Sequence, residues 1–223
     1  MPTLRFKVGD YLDVTDPVAR FIAGLGMISN DWMRMFAQMG SIPDYVPDAD
    51  ALRVLSFRLQ AALYVEAAIF IGESQSGFTA IDDFVSSMRK QGRDARDRVV
   101  GGIDPDSKYY LGSWIMHHRN TTFHYPKMDP VRAAGGREPM GRAVKAAAEN
   151  DATIEVDDQY VGKIRYGFAD DVVVQLMPEV TKKTWITKLR RNVKALGNFA
   201  YIASEKYTKP WMRKNPDLWT REQ

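Results

Sequence analysis

A mainly α fold, a bundle of four to five helices with a small β-hairpin or three-stranded insertion, is what this sequence predicts. Three observations point to it. Large apolar side chains recur every three to four residues over several long stretches, as they do along one face of a helix. Prolines and glycines gather mostly between those stretches. After Asn150 the period shortens toward two and β-branched residues collect, the pattern of short strands.

The 223 residues read as a single domain, 1–223, because 45% hydrophobic residues supply a core and 26% charged residues are too few and too mixed in sign to mark disorder. Cysteine is absent, which excludes disulfides and thiolate chemistry and fits a reducing compartment. The opening Met1-Pro-Thr-Leu-Arg-Phe-Lys7 lacks the apolar run of a signal peptide, and no stretch reaches the roughly 18 apolar residues of a membrane span. A cytoplasmic protein with no membrane partner is expected. The net charge of +3 is uneven: residues 181–223 carry eleven basic against three acidic side chains, leaving −5 for residues 1–180. Such a basic end can steer a polyanion, although a solvated helix face is the commoner reason for it.

Residues 1–14 read as an irregular or briefly extended lead-in. Thr15 or Asp16 can cap a first helix that accepts Pro17 in its first turn and runs toward Gly40, with Phe21, Ile22, Leu25 and Trp32 on one stripe. Gly24 and Gly26 interrupt it and suggest a close helix contact. Ser41–Asp48 is a proline-punctuated loop, and Asp48 or Asp50 can cap a second helix over Ala49–Glu73, antiparallel to the first. Ser74–Gly77 breaks the pattern before a shorter helix at Thr79–Met88. The charged run Arg89–Arg98 reads as an exposed helix or connection. A fourth helix is expected from Asp106 or Ser107 to about His124, where Pro126 disfavours helical geometry in Tyr125. Lys127–Met140 is a loop and Arg142–Asn150 a brief helix. Strands are expected at Thr153–Val156, Lys163–Phe168 and Val172–Leu176, an insertion spanning 152–177. A last helix covers Glu179–Tyr207, Pro210 ends it, and a tail at 211–223 carries Trp211, Leu218 and Trp219 to dock on the bundle or on a second subunit.

The candidate chemistry is concentrated in Trp114-Ile-Met-His-His-Arg-Asn-Thr-Thr-Phe-His-Tyr-Pro126, which holds all three histidines. The chain has no Gly-x-x-x-x-Gly-Lys-Ser/Thr, Gly-x-Gly-x-x-Gly or Gly-x-Ser-x-Gly, so neither a nucleotide cofactor nor a serine nucleophile is indicated. No metal is expected either. His117 and His118 are adjacent and point apart on a helix, and no histidine stands four residues from another. His118, Trp114 and Tyr125 read as core side chains. Arg119, Asn120 and His124 are the candidate catalytic residues. The arginine is always charged and offers a planar fork to a phosphate, the histidine titrates near neutral pH, and Asn120 lies one turn before His124, where it can bond the imidazole or a substrate. Around a ribose and its phosphate, such a set can deprotonate the 2′-hydroxyl and stabilise the developing charge without a metal. Arg119 and His124 stand about 140° apart on an ideal helix, so their convergence needs a distorted helix end or a second chain.

The Arg119-Asn120-x3-His124 pattern, late in the expected fourth helix, resembles the signature of the HEPN superfamily, an Arg followed by four to six residues and His. The resemblance implies a helical bundle that dimerises with two motifs facing one cleft. It further implies metal-independent RNA cleavage without a cofactor, frequently in defence or toxin–antitoxin systems, with RNA and an antitoxin or other protein as partners. It carries over Arg119, Asn120 and His124 alone. The β insertion and the tail depart from the common pattern, and Pro126 stands where some antitoxin-paired members carry a modified Tyr. The alternative expectation is a non-catalytic helical dimer that binds a protein partner or nucleotide.

Overall fold

The computed structural model describes residues 3–6, 8–13, 15–40, 49–116, 119, 154–156, 164–166 and 182–222. The described chain is mainly helical: α1 (Val8–Tyr11), α2 (Pro17–Gly40), α3 (Ala49–Gly77), α4 (Thr79–Ser86), α5 (Lys90–Val100) and α6 (Lys182–Lys214), with a further helical turn at 113–116. Among the described residues no helix is long and apolar enough to cross a membrane.

α2 starts where its sequence says it should. The Asp16 carboxylate accepts the Val18 amide at 2.8 Å, and Pro17 occupies the first helical position, where a missing N–H leaves nothing unbonded. Its stripe of Phe21, Ile22, Leu25 and Trp32 is buried. Gly24 lets α3 approach: a Cβ there would lie 2.3 Å from the Phe70 ring, which stacks on Phe21 at 5.7 Å. Gly26 has open space instead, so only one of the two glycines marks a close contact.

α3 is the central helix. Ala61, Ala62, Tyr64, Val65, Ala68 and Ile71 are buried together, which is more than one face, and the helix touches α2, α4 and α5. The alanines let neighbouring backbones approach, so burial extends beyond a single apolar stripe. The break expected at Ser74–Gly77 does not occur, since α3 continues to Gly77 and only Phe78 separates it from α4. α4 stops at Ser86, short of the expected Met88.

The charged run is a helix with an inner face. α5 buries Gly92, Ala95 and Val99, small residues at helical spacing, and packs chiefly on α6. Beyond it the expected fourth helix starts late. Asp104 accepts the Asp106 amide at 3.0 Å in an Asx turn around Pro105, Leu111 N–H returns to the Gly102 carbonyl at 3.0 Å, and Gly112 adopts φ +103°. That left-handed residue, which suits glycine alone among common residues, delays the helix to position 113.

α6 buries Leu189, Leu196, Phe199, Ala200 and Ile202 against α5 and α2. Pro210 does not end it: the helix runs to Lys214 although the proline has no amide to give the Lys206 carbonyl. Contacts on either side hold the turn. Tyr11 meets Tyr207 and Trp211 edge-on at 5.4 and 5.2 Å, its hydroxyl lies 2.7 Å from Thr208 Oγ1, and Trp211 Nε1 donates to the Asp10 carbonyl at 3.0 Å. The chain's two ends then form a ladder, β1 (Thr3–Phe6) antiparallel to β4 (Trp219–Glu222), with Thr3 opposite Glu222 and Phe6 opposite Trp219. The lead-in is therefore a paired strand, and the end of the tail docks on this same chain.

A second ladder joins β2 (Ile154–Val156) and β3 (Ile164–Tyr166), with Ile154 opposite Tyr166. These three-residue strands do not by themselves show the insertion expected at 152–177. The third strand at 172–176, the loop at 127–140 and the helix at 142–150 lie outside the described residues, as does the loop at 41–48.

Candidate functional site

The helical turn at 113–116 is fixed from its inner side. Trp114 is buried, its indole N–H donates to the Leu111 carbonyl, and its ring stacks on Phe57 of α3 at 6.4 Å. Ile115 is wholly buried. Arg119 is itself helical and lies four residues after Ile115 in the sequence. It meets α3 at Glu66, with Arg119 Nε donating to Glu66 Oε1 at 2.7 Å. The two side chains remain 33% and 45% exposed, so the ion pair contributes only ~0.2–1 kcal/mol and an anion from solvent can reach the guanidinium.

Of the three candidate catalytic residues, Arg119 is described, and Asn120 and His124 lie outside the described residues, as do His117, His118, Tyr125 and Pro126. Arg119 is thus brought to Glu66, a residue that sequence reasoning passed over. A signal for Glu66 exists: it is the sole charged side chain between Leu59 and Gly72, in a helix stretch that is otherwise largely buried. A lone carboxylate in such a run needs either solvent or a cation, and here it has both.

Glu66 also lines a cavity of about 300 Å³ between α2 and α3. The floor is apolar, formed by Ile28, Trp32, Leu63 and Phe70, and Asp31 and Glu66 supply its carboxylates. Asp31 is exposed and has no ion pair or side-chain hydrogen bond among the described residues. Arg119 stands one hydrogen bond from this wall. A larger groove of about 650 Å³ lies between α2 and α6, lined by Ile28, Met33, Val193, Leu196, Gly197 and Tyr201, with Met33 and Tyr201 largely exposed.

The basic α6 divides by use. Lys206 reaches the C-terminal end of α4, donating to the Phe84 carbonyl at 3.0 Å and to the Ser87 hydroxyl, and burial there pulls its ammonium pKa down. Lys209 bonds Glu205 at 2.6 Å and holds that carboxyl below its ordinary range. Lys188, Arg190, Arg191 and Lys194 are exposed. No protein-family model matches the chain, and no curated protein or solved structure matches it significantly.

Proposed function

We propose that the chain is a metal-independent endoribonuclease of HEPN type that acts as a homodimer. The observation that carries this reading is Arg119, a permanently charged, solvent-reachable guanidinium held beside an open cavity by Glu66. Arg119 binds the scissile phosphate, and His124 takes the proton of the 2′-hydroxyl as that oxygen attacks phosphorus. The 5′-oxygen leaves with a proton drawn from water, giving a 2′,3′-cyclic phosphate and a 5′-hydroxyl. Asn120 orients His124 or the ribose. Within this reading residues 1–223 are one cytoplasmic domain with a β insertion at 152–177, and RNA and an antitoxin or other protein are its partners in defence or toxin–antitoxin biology.

The test is RNA cleavage by the purified chain in chelator. Cleavage with cyclic-phosphate ends is expected, and His124→Ala should lower its rate by ~10²–10⁴ without changing the melting temperature. Protein that never cuts RNA in chelator, or a substituted protein that cuts equally well, sinks the reading.

A second reading, a non-catalytic helical dimer binding a protein partner or nucleotide, is favoured by the ion pair itself, since Glu66 already neutralises Arg119. It expects His124→Ala to shift the dimer toward monomer in sedimentation, with no new RNA ends.

A further inference from the structure

We infer that the cavity between α2 and α3 is a nucleobase subsite that selects guanine through the Asp31 carboxylate. The inference rests on the ribonuclease reading and names the base that reading leaves open. Its volume of about 300 Å³ stands at the small end of ligand cavities, which run from ~300 to 1,000 Å³, and so suits one planar ring system rather than a longer ligand. Trp32, Phe70, Ile28 and Leu63 give that ring apolar and aromatic surface. The wall also carries Glu66, whose Oε1 holds Arg119 Nε at 2.7 Å. A base in the cavity thus has a phosphate-binding cation at a distance fixed by a single hydrogen bond. The carboxylates decide which end of a nucleotide enters: they repel the phosphate and accept N–H groups, so the base goes in and the phosphate stays at Arg119.

The carboxylates also discriminate among bases. An ionised carboxylate is acceptor-only and has two oxygens. Guanine offers two parallel donors on its Watson–Crick edge, N1–H and the N2 amino group, and satisfies both. Adenine and cytosine offer one amino group beside a ring nitrogen whose lone pair faces the second oxygen. Uracil places a carbonyl on each side of its single N–H. Asp31 is the reader because both of its oxygens are uncommitted among the described residues, whereas Glu66 already holds Arg119.

The experiment uses the full chain and 2′-fluoro pentauridylates that cannot be cut, each with guanosine, inosine, adenosine or cytidine at the centre, and reads binding by fluorescence anisotropy. Guanosine should bind on the order of 10- to 100-fold more tightly than adenosine, with inosine, which lacks the N2 amino group, between them. Asp31→Asn should collapse that order by weakening guanosine and tightening adenosine, whose amino group and ring nitrogen match the amide's oxygen and NH2 group. The inosine comparison needs no substitution in the protein, so it stands even if the variant folds poorly. Equal binding of all four oligomers, no binding at all, or an order that survives Asp31→Asn overturns the subsite. Displacement of the guanosine oligomer by an equal concentration of 5′-GMP would also overturn it, by assigning the cavity to free nucleotide. Guanine-ordered binding without RNA cleavage in chelator would keep the subsite and sink the ribonuclease reading, and cleavage without guanine order would do the reverse.

Discussion

Tyr64 is buried where α3, α5 and α6 meet, and its hydroxyl serves all three. It donates to the Val99 carbonyl at 2.7 Å and accepts from Asn192 Nδ2 at 3.2 Å, while the same Asn192 amide reaches the Tyr109 carbonyl at 3.4 Å. Burial raises the phenol pKa well above its ordinary 10.0, against the opposing pull of the Asn192 hydrogen bond and the Arg98 charge. A raised folded-state pKa means that the folded chain keeps a proton that the unfolded chain gives up. The associated stability is complete below pH 10.0 and is lost as pH climbs beyond it. Thermal melts between pH 8 and 11 should therefore show a falling midpoint at the alkaline end, and Tyr64→Phe should flatten part of that fall. At neutral pH the same substitution removes two buried hydrogen bonds, though the Val99 carbonyl keeps the Gly102 amide and Asn192 keeps Tyr109, and should cost about 1–3 kcal/mol. A variant as stable as the parent at pH 7 would show that the hydroxyl contributes nothing to the junction.

At the scale of elements, the two glycines of α2 make opposite predictions. Gly24→Ala drives a methyl group into the Phe70 ring, which is stacked on Phe21 and cannot turn away without losing that contact. A loss of about 1–3 kcal/mol is expected. Gly26→Ala meets nothing and should stabilise by about 1 kcal/mol through helix propensity. Urea midpoints with an unchanged m-value would measure both, and a Gly24→Ala protein no weaker than the parent would mean that α2 and α3 slide apart freely. α2 and α6 were legible in the sequence because their buried residues are large and recur at helical spacing. The inner face of α5 was not, because Gly92, Ala95 and Val99 carry little hydrophobic signal among so many charges. Helix-like spacing before residue 113 misled for another reason: local turn chemistry at Asp104 and a positive φ at Gly112 outweighed it. The candidate site was half legible in the same sense. Arg119 declared itself by type and spacing, but Glu66 lies 53 residues away, and no local pattern announces so distant a partner.

Across the whole molecule, long-range packing is carried by α6 on α5 and α2 and, at the greatest sequence separation among the described elements, by the β1–β4 ladder. Its register pairs residues 3–6 with residues 219–222, so almost the entire chain is the loop it closes. Helical hairpins such as α2–α3 pay far less closure entropy and should assemble first. The ladder is then a late event, absent from the folding transition state. Thr220→Pro, which removes a backbone donor from β4, should leave the refolding rate within about twofold and raise the unfolding rate several-fold, as measured by stopped-flow fluorescence. A refolding rate that drops in step with stability would place the ladder in the nucleus instead. If it does close last, the ladder acts as a kinetic clasp: it sets how long a folded molecule stays folded and has little say in how quickly it gets there.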